Sequence, residues 1–507
     1  MVSINPHLSI RELQAGLISG RWTSVDLVKM YLSRTDQFKH YNAMLFVKDI
    51  ELLLSEAASL DKERECLLSS KENLSTLHGI PVIIKDNICT SDMPTTVGAL
   101  ALKGAESGFD AEIARRLRSA GAIIIGKANM HEFSGLADKN IPDGWSCLGG
   151  QVLNANSGSA HPGMSSSGSA CAAALGLAAA TIGTETTWSI ISPSMHQSVV
   201  GFRPTRGLCS NSGIVPISTT FDTPGPICRS VEDVAAMLEV ISKGNNNFCE
   251  LGAFKIEGAR AGTTLNHGSE LNSKDSAHVV RHFTSFVFGK LRDLGCVVVY
   301  GDVVSDKLLS SDRTFYKHCS TIGEVGNPLL QDHYFVNSCE FKDGIGEILS
   351  KFAQIPSGVH DLKSLIEFNE QHPDALDPLT PTQKIMLECS GTGGLADPNY
   401  RPYLDRLLTF SEDIVSRIFS SDNLDFLITS VTGPEWPLIY ELAMLSGYPT
   451  ISIPLGKHPS SSSYSAYKNF TNHPGVGYSL ILIGKPGDDH KLLCYAKQIE
   501  DILKTNQ

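Results

Sequence analysis

The segment "GSACAAALGLAAATIG", residues 168–183, is small and apolar on every side. A helix of that composition has no polar face to offer to solvent, so it must pack at the centre of a larger fold. It is also shorter than the roughly 20 apolar residues that span a bilayer. Around it, short β-branched runs alternate with helical patterns. "IPVIIK", "AIIIGK", "DFLITS", "PTISIP" and "GYSLILIG" read as buried strands, and "DAEIARRLRSAG" reads as a helix between two of them. Such alternation implies an α/β fold in which helices cover a sheet on both faces. The 507 residues, 42% of them hydrophobic, can bury a large core. Length alone suggests about three domains, but large α/β enzymes often run as one, and a single domain is expected.

Residues 8–62 read as helices wrapped on the outside: "SIRELQAGLISGRWTSVDLVKMYLSRTDQF" spaces its apolar residues at i, i+3 and i+4, with an N-cap at Thr23-Ser24. From about 245 to 400 the pattern weakens. Polar runs such as "SKGNNNFCE" and "LNSKDS" alternate there with helical "VVRHFTSFVFGKLRDLG" and strand-like "CVVVYGDVV". The expected organisation is a helical wrap over 1–75, the core over 76–240, pocket-shaping insertions over 241–400, and the rest of the core over 401–507. No internal repeat is present.

A net charge of −12 and a pI near 5.7 argue against a nucleic-acid backbone or an anionic membrane as the main partner. A small-molecule or peptide substrate fits better, and the chain is compatible with a monomer or a homodimer. The N-terminal "MVSINPHLSIRELQ" has neither the basic n-region nor the apolar h-region of a signal peptide, so a soluble, cytoplasmic protein is expected. The twelve cysteines are scattered, without a CxxC pair, which argues against metal clusters and a disulfide framework.

The chemistry concentrates between residues 163 and 225. The run "GMSSSGSACAAALGLAAATIGTETTWSIISP" joins a Gly/Ser-rich loop, the small-residue segment and a second serine on a tight turn, and "GFRPTRGLCSNSGIVPISTTFDTPGP" follows it. This run resembles the signature of the amidase signature family. "LHGIPVIIKDNICTSDMPTTVGALALKG", "AGAIIIGKANMHEFSG", "MLSGYPTISIPLG" and "VGYSLILIGKPGDDHKLL" extend the resemblance over most of the chain. "DGWSCLGGQVLNAN", "SSSGS", "GTET" and "SLIEFNEQHPDAL" are similar, more narrowly, to the branch that includes bacterial peptide amidases and many fungal and plant relatives.

The resemblance implies an amidase signature fold with a central mixed β-sheet, and a Ser-Ser-Lys triad. Ser189 matches the attacking serine, Ser165 the serine that relays the proton and usually follows a cis peptide bond, and Lys85 the base. A lysine can act as base only if burial lowers its pKa from about 10.4, and "IPVII" ahead of Lys85 favours burial. The oxyanion hole would use the backbone N–H groups of Thr186, Thr187 and Trp188. Relatives of this branch usually carry glycine where Met164 and Trp188 stand, and proline where Ala155 stands. Because glycine at such a turn often adopts φ > 0, the bulky Trp188 is expected to change the aim of the donors.

Trp188 is also expected to line or block the acyl pocket, with Met164 and His131 as further pocket candidates. His278 and His282 stand four apart on an expected helix, as zinc ligands can, but with no third ligand nearby a solvated helix face is the reading. Asp86 and Asn87 are expected to hydrogen-bond the loop around Lys85, and Arg203 in "GFRPTRG" to be structural. The implied chemistry is hydrolysis of an amide through an acyl-serine intermediate, with no cofactor and no metal. Two alternatives stand beside it. One is a repurposed acyl-transfer enzyme that forms or exchanges an amide or ester, with Trp188 excluding water. The other is a catalytically silent binding protein. An amidotransferase component passing ammonia fits the branch motifs less well.

Overall fold

The computed structural model describes residues 4–71, 73–158, 160–244, 246–263, 286–300, 328–429, 436–458 and 475–504. Thirteen strands are described: β1 (Met44–Val47), β2 (Pro81–Lys85), β3 (Ile123–Ala128), β4 (Trp145–Ser146), β5 (Gly150–Gln151), β6 (Ala180–Glu185), β7 (Val200–Arg203), β8 (Thr223–Cys228), β9 (Arg260–Thr263), β10 (Val297–Tyr300), β11 (Phe426–Thr429), β12 (Thr450–Lys457) and β13 (Gly477–Ile483). Eleven of them form one sheet in the order β1-β3-β2-β6-β8-β7-β12-β13-β11-β9-β10, and β4 pairs with β5 as a separate ribbon. The sheet is mixed. β3, β2 and β6 run parallel, as do β10, β9 and β11. The pairs β6·β8, β8·β7, β7·β12, β12·β13 and β13·β11 are antiparallel.

Successive residues of a strand point to opposite faces, so a strand whose residues are all buried must be covered on both. β13 shows this directly. Leu480 and Leu482 join a cluster that includes the helix Asp489–Lys504, whereas Ile481 and Ile483 join a second cluster with the helix Tyr400–Ser421. The sheet is thus a central layer between helices. No described helix is long and apolar enough to cross a membrane.

Two local expectations change. The small-residue segment is a helix only over Ser167–Leu175; Gly176 at φ 64° closes it in the left-handed region, and "ATIGTE", which reads as strand-like ahead of Ser189, is β6. The stretch 8–62 holds helices Ile10–Ile18, Ser24–Gln37 and part of Ile50–Ser70, with Thr23 and Asp26 forming a capping box. It also holds the edge strand β1, which pairs antiparallel with β3. Four half-exposed residues carry little periodic signal, which is why the helical reading passed over them.

Candidate active site

The carboxyl ends of the parallel strands β3, β2 and β6 lie together, where open α/β sheets generally hold ligands. Lys85 is the last residue of β2, His131 follows β3, and the turn bearing Ser189 follows β6. Lys85 is fully buried, and its Nζ donates to Ser165 Oγ at 2.7 Å, Thr184 Oγ1 at 3.0 Å and Thr184 O at 3.3 Å. Asn87 Nδ2 donates to the same Thr184 hydroxyl at 3.0 Å. Burial pushes the Lys85 pKa down to about 7, with the charges of Asp222 and Glu185 opposing the shift. Three acceptors match the three N–H groups of an ammonium. Loss of one proton leaves a lone pair that can take the Ser165 hydroxyl proton. The Asp86 carboxylate accepts from Thr96 N at 3.0 Å and Gly98 N at 3.3 Å and lies 3.7 Å from Lys127, so it fixes the loop beyond the lysine.

Ser165 precedes the helix Ser167–Leu175. The neighbouring Ser166 clamps this loop to β6: its Oγ donates to Thr184 O at 3.0 Å and accepts from Thr184 N at 3.2 Å. His131 N donates to Ser165 O at 3.2 Å. Gly163 takes φ 96°, and a Cβ there would lie 2.1 Å from Pro193 Cα, so the glycine this loop requires is at 163 and Met164 is tolerated after it. The cis bond implied for Ser165 is corrected: every peptide bond among the described residues is trans. Outside proline a cis bond costs about 2.5–4 kcal/mol.

Ser189 is buried, and its Oγ donates to Thr187 O at 3.3 Å; among the described residues no hydrogen bond joins it to Ser165. Trp188 adopts φ 64°, the left-handed conformation that a glycine would take. The expectation that its bulk would force a different backbone therefore changes. The conformation costs a bulky residue about 1–3 kcal/mol. A compensating contact is visible: the indole packs on Tyr440, with ring centroids 4.1 Å apart at 42°, a contact worth about 0.5–1.5 kcal/mol. Tyr440 in turn donates its hydroxyl to Glu185. The Glu185 carboxylate also accepts from Ile190 N at 2.7 Å and Ile191 N at 3.0 Å, and it faces Arg203 Nε at 3.2 Å. At the head of the turn Thr186 donates its hydroxyl to Asp222, whose carboxylate also accepts from Ile217 N and Ser218 N. Burial raises the Asp222 pKa to about 6.

A cavity of about 910 Å³ opens on this site, lined among others by His131, Asp143, His161, Met164 and Ser165. Two of the three pocket candidates, Met164 and His131, are thus in its wall. Trp188 is not; it belongs to the apolar packing around Tyr440. Ala155 donates its N–H to Gln197 Oε1 at 2.7 Å, a bond that proline could not make. Arg203 is fully buried and also donates to Phe221 O at 3.2 Å. His278 and His282 lie outside the described residues. Sequence reasoning did not single out Thr184, Asp222, Glu185, Tyr440, Asp143 or His161. Thr184, Glu185 and Asp222 stand inside the quoted signature run, but Tyr440 reaches the turn from far along the chain, and only the fold brings it there.

Lys85, bonded to Ser165, and the turn bearing Ser189 thus gather at one end of the central strands. The comparisons give the family. A family model described as Amidase matches residues 26–250. A protein of Arabidopsis thaliana described as a probable amidase is 30% identical over 466 residues, covering 88% of this chain and 83% of that one. The native peptide amidase from Stenotrophomonas maltophilia superposes with a TM-score of 0.80 at 29% identity, covering 98% of this chain and 97% of that one. An amidase family protein from Bacillus anthracis shares the fold, with a TM-score of 0.78 at 24% identity, covering 99% of this chain and 91% of that one. The chain belongs to the amidase signature family, whose chemistry is hydrolysis of amide carbon–nitrogen bonds.

Proposed function

We propose that this amidase cleaves a small-molecule or peptide amide through an acyl-Ser189 intermediate, as a single-domain cytoplasmic enzyme. Ser189 Oγ bonds to the carbonyl carbon while its proton passes to Ser165 Oγ, and the Ser165 proton passes to neutral Lys85 Nζ. The N–H groups of Thr186, Thr187 and Trp188 take the oxyanion. The carbon–nitrogen bond then breaks, and the proton returns through Ser165 to the departing amine. Water repeats the sequence on the acyl-enzyme. For the relay to run, Ser189 exchanges its bond to Thr187 O for one to Ser165; catalytic hydrogen bonds often tighten only when substrate binds. Trp188, the residue that would favour an amine or alcohol acceptor by excluding water, packs on Tyr440, so water is the acceptor in this reading.

The carrying observation is the buried Lys85 ammonium, 2.7 Å from Ser165 Oγ with its pKa lowered to about 7. Only the neutral lysine accepts a proton, so kcat/KM is expected to rise with pH through about 7 and then level. Lys85→Ala should lower it by about 10²–10⁴-fold. A Lys85→Ala enzyme with near-parental turnover across the pH range would refute the assignment.

A further inference from the structure

The cavity holds a polar arrangement that the hydrolytic scheme does not use. Asp143 bridges two histidines: its Oδ1 lies 3.1 Å from His131 Nδ1 and its Oδ2 lies 2.9 Å from His161 Nε2. Burial opposes the charged form, but the two imidazoles together outweigh it and hold the carboxyl well below the usual carboxylate range. The proton positions follow from the neighbours. Gly163 N donates to His161 Nδ1 at 3.1 Å, so Nδ1 is bare and Nε2 carries the proton given to Asp143. His131 Nδ1 faces the other carboxylate oxygen and must also be protonated. In the neutral ring His131 Nε2 is therefore an acceptor. It is shielded from water and has no hydrogen-bond partner among the described residues. His131 is 5% exposed, lines the cavity, and is tied through its backbone to Ser165.

A buried acceptor left unpaired is costly, and one polarised by a carboxylate on its far side is a stronger base for a hydrogen bond. We infer that the Asp143–His131 pair is a specificity site, which accepts a hydrogen bond from an N–H on the non-scissile part of the amide substrate. The inference rests on the proposed use of this cavity for substrate. His161 fixes the bridge by occupying the second carboxylate oxygen, and Met164 supplies the apolar wall beside it. The substrate class selected is an amide bearing a neighbouring N–H donor, as against one whose corresponding nitrogen is methylated.

Binding separates this inference from catalysis. Ser189→Ala protein, which cannot turn substrate over in the proposed scheme, is titrated calorimetrically with N-acetyl-dipeptide amides and with the same compounds methylated at one backbone nitrogen. At least one N–H compound is expected to bind about tenfold or more tightly than its methylated partner. That ratio should fall to near one when His131→Phe is added, and His131→Gln, which keeps an acceptor, should restore part of it. Asp143→Asn should move the His131 proton from Nδ1 to Nε2, because the amide NH₂ would face Nδ1 while His161 still claims the oxygen. Side-chain ¹⁵N shifts of His131 report that exchange without any ligand. Equal or absent binding across the panel, or a ratio unchanged in His131→Phe, overturns the inference. Labelling of parental Ser189 by a fluorophosphonate probe tests the hydrolytic reading separately, so the two can fail independently.

Discussion

At the residue scale the instructive position is Trp188. Its bulk, where relatives usually carry glycine, suggested a disturbed oxyanion turn, but the turn keeps a glycine-like φ of 64° and the indole is absorbed by Tyr440. Ser165, Ser189 and the two unusual residues could be singled out because they sit in one contiguous run, and Lys85 because it closes a separate apolar run, "IPVIIK". The resting place of the indole was not, because Tyr440 is remote in sequence. Trp188→Gly is accordingly expected to leave stability little changed or to raise it by up to about 2.5 kcal/mol, because the ~0.5–1.5 kcal/mol of lost ring contact is set against the ~1–3 kcal/mol of left-handed strain that glycine relieves. Equilibrium unfolding measures this. The rate of Ser189 labelling should change by less than about tenfold, corresponding to ~1.4 kcal/mol in the barrier. Met164, half-buried in the cavity wall, should behave oppositely. Met164→Gly is expected to favour bulkier acyl groups, with each added methylene gaining about 1–3 kcal/mol in kcat/KM. A series of amides of increasing acyl size measures that.

At the scale of elements, the serine loop, helix Ser167–Leu175 and β6 act as one clamp. Ser166 exchanges two hydrogen bonds with Thr184, Ser169 Oγ donates to Ile182 O at 3.0 Å, and Lys85 bonds Thr184 from the neighbouring strand. Gly163 sets the entry to this clamp. Gly163→Ala would drive a methyl group into the Pro193 backbone at a φ that alanine rarely adopts, and is expected to cost about 1–3 kcal/mol and to slow Ser189 acylation. Unfolding midpoints and single-turnover rates should move together. The apolar strands β2, β3, β11, β12 and β13 could be read from runs of β-branched residues. β8 could not, since Pro224 and Pro226 argue against a central strand and yet pair opposite Thr184 and Ile182.

At the scale of the whole molecule, the mixed sheet brings residues separated by hundreds of positions to one place. Arg203, at the end of β7, joins β6 through Glu185 to the loop carrying Phe221, all out of contact with water. Removing one partner of a buried ion pair strands the other. Arg203→Ala is therefore expected to cost about 3–5 kcal/mol, seen as a lower denaturant midpoint, and to loosen the Ser189 turn through freed Glu185. The sequence pattern led to layers with helices on both faces, whereas strand order and the antiparallel partners of β6, β7 and β8 depend on long-range pairing that local periodicity does not encode. The central claim is that this fold makes Ser189 the nucleophile. Intact-mass measurement during turnover of an activated amide or ester, followed by peptide mapping, tests it most directly. The account predicts an acyl adduct on Ser189 that is lost in Ser189→Ala, with the variant slowed by about 10⁴-fold or more. An adduct on another residue, or one that persists in Ser189→Ala, would contradict it.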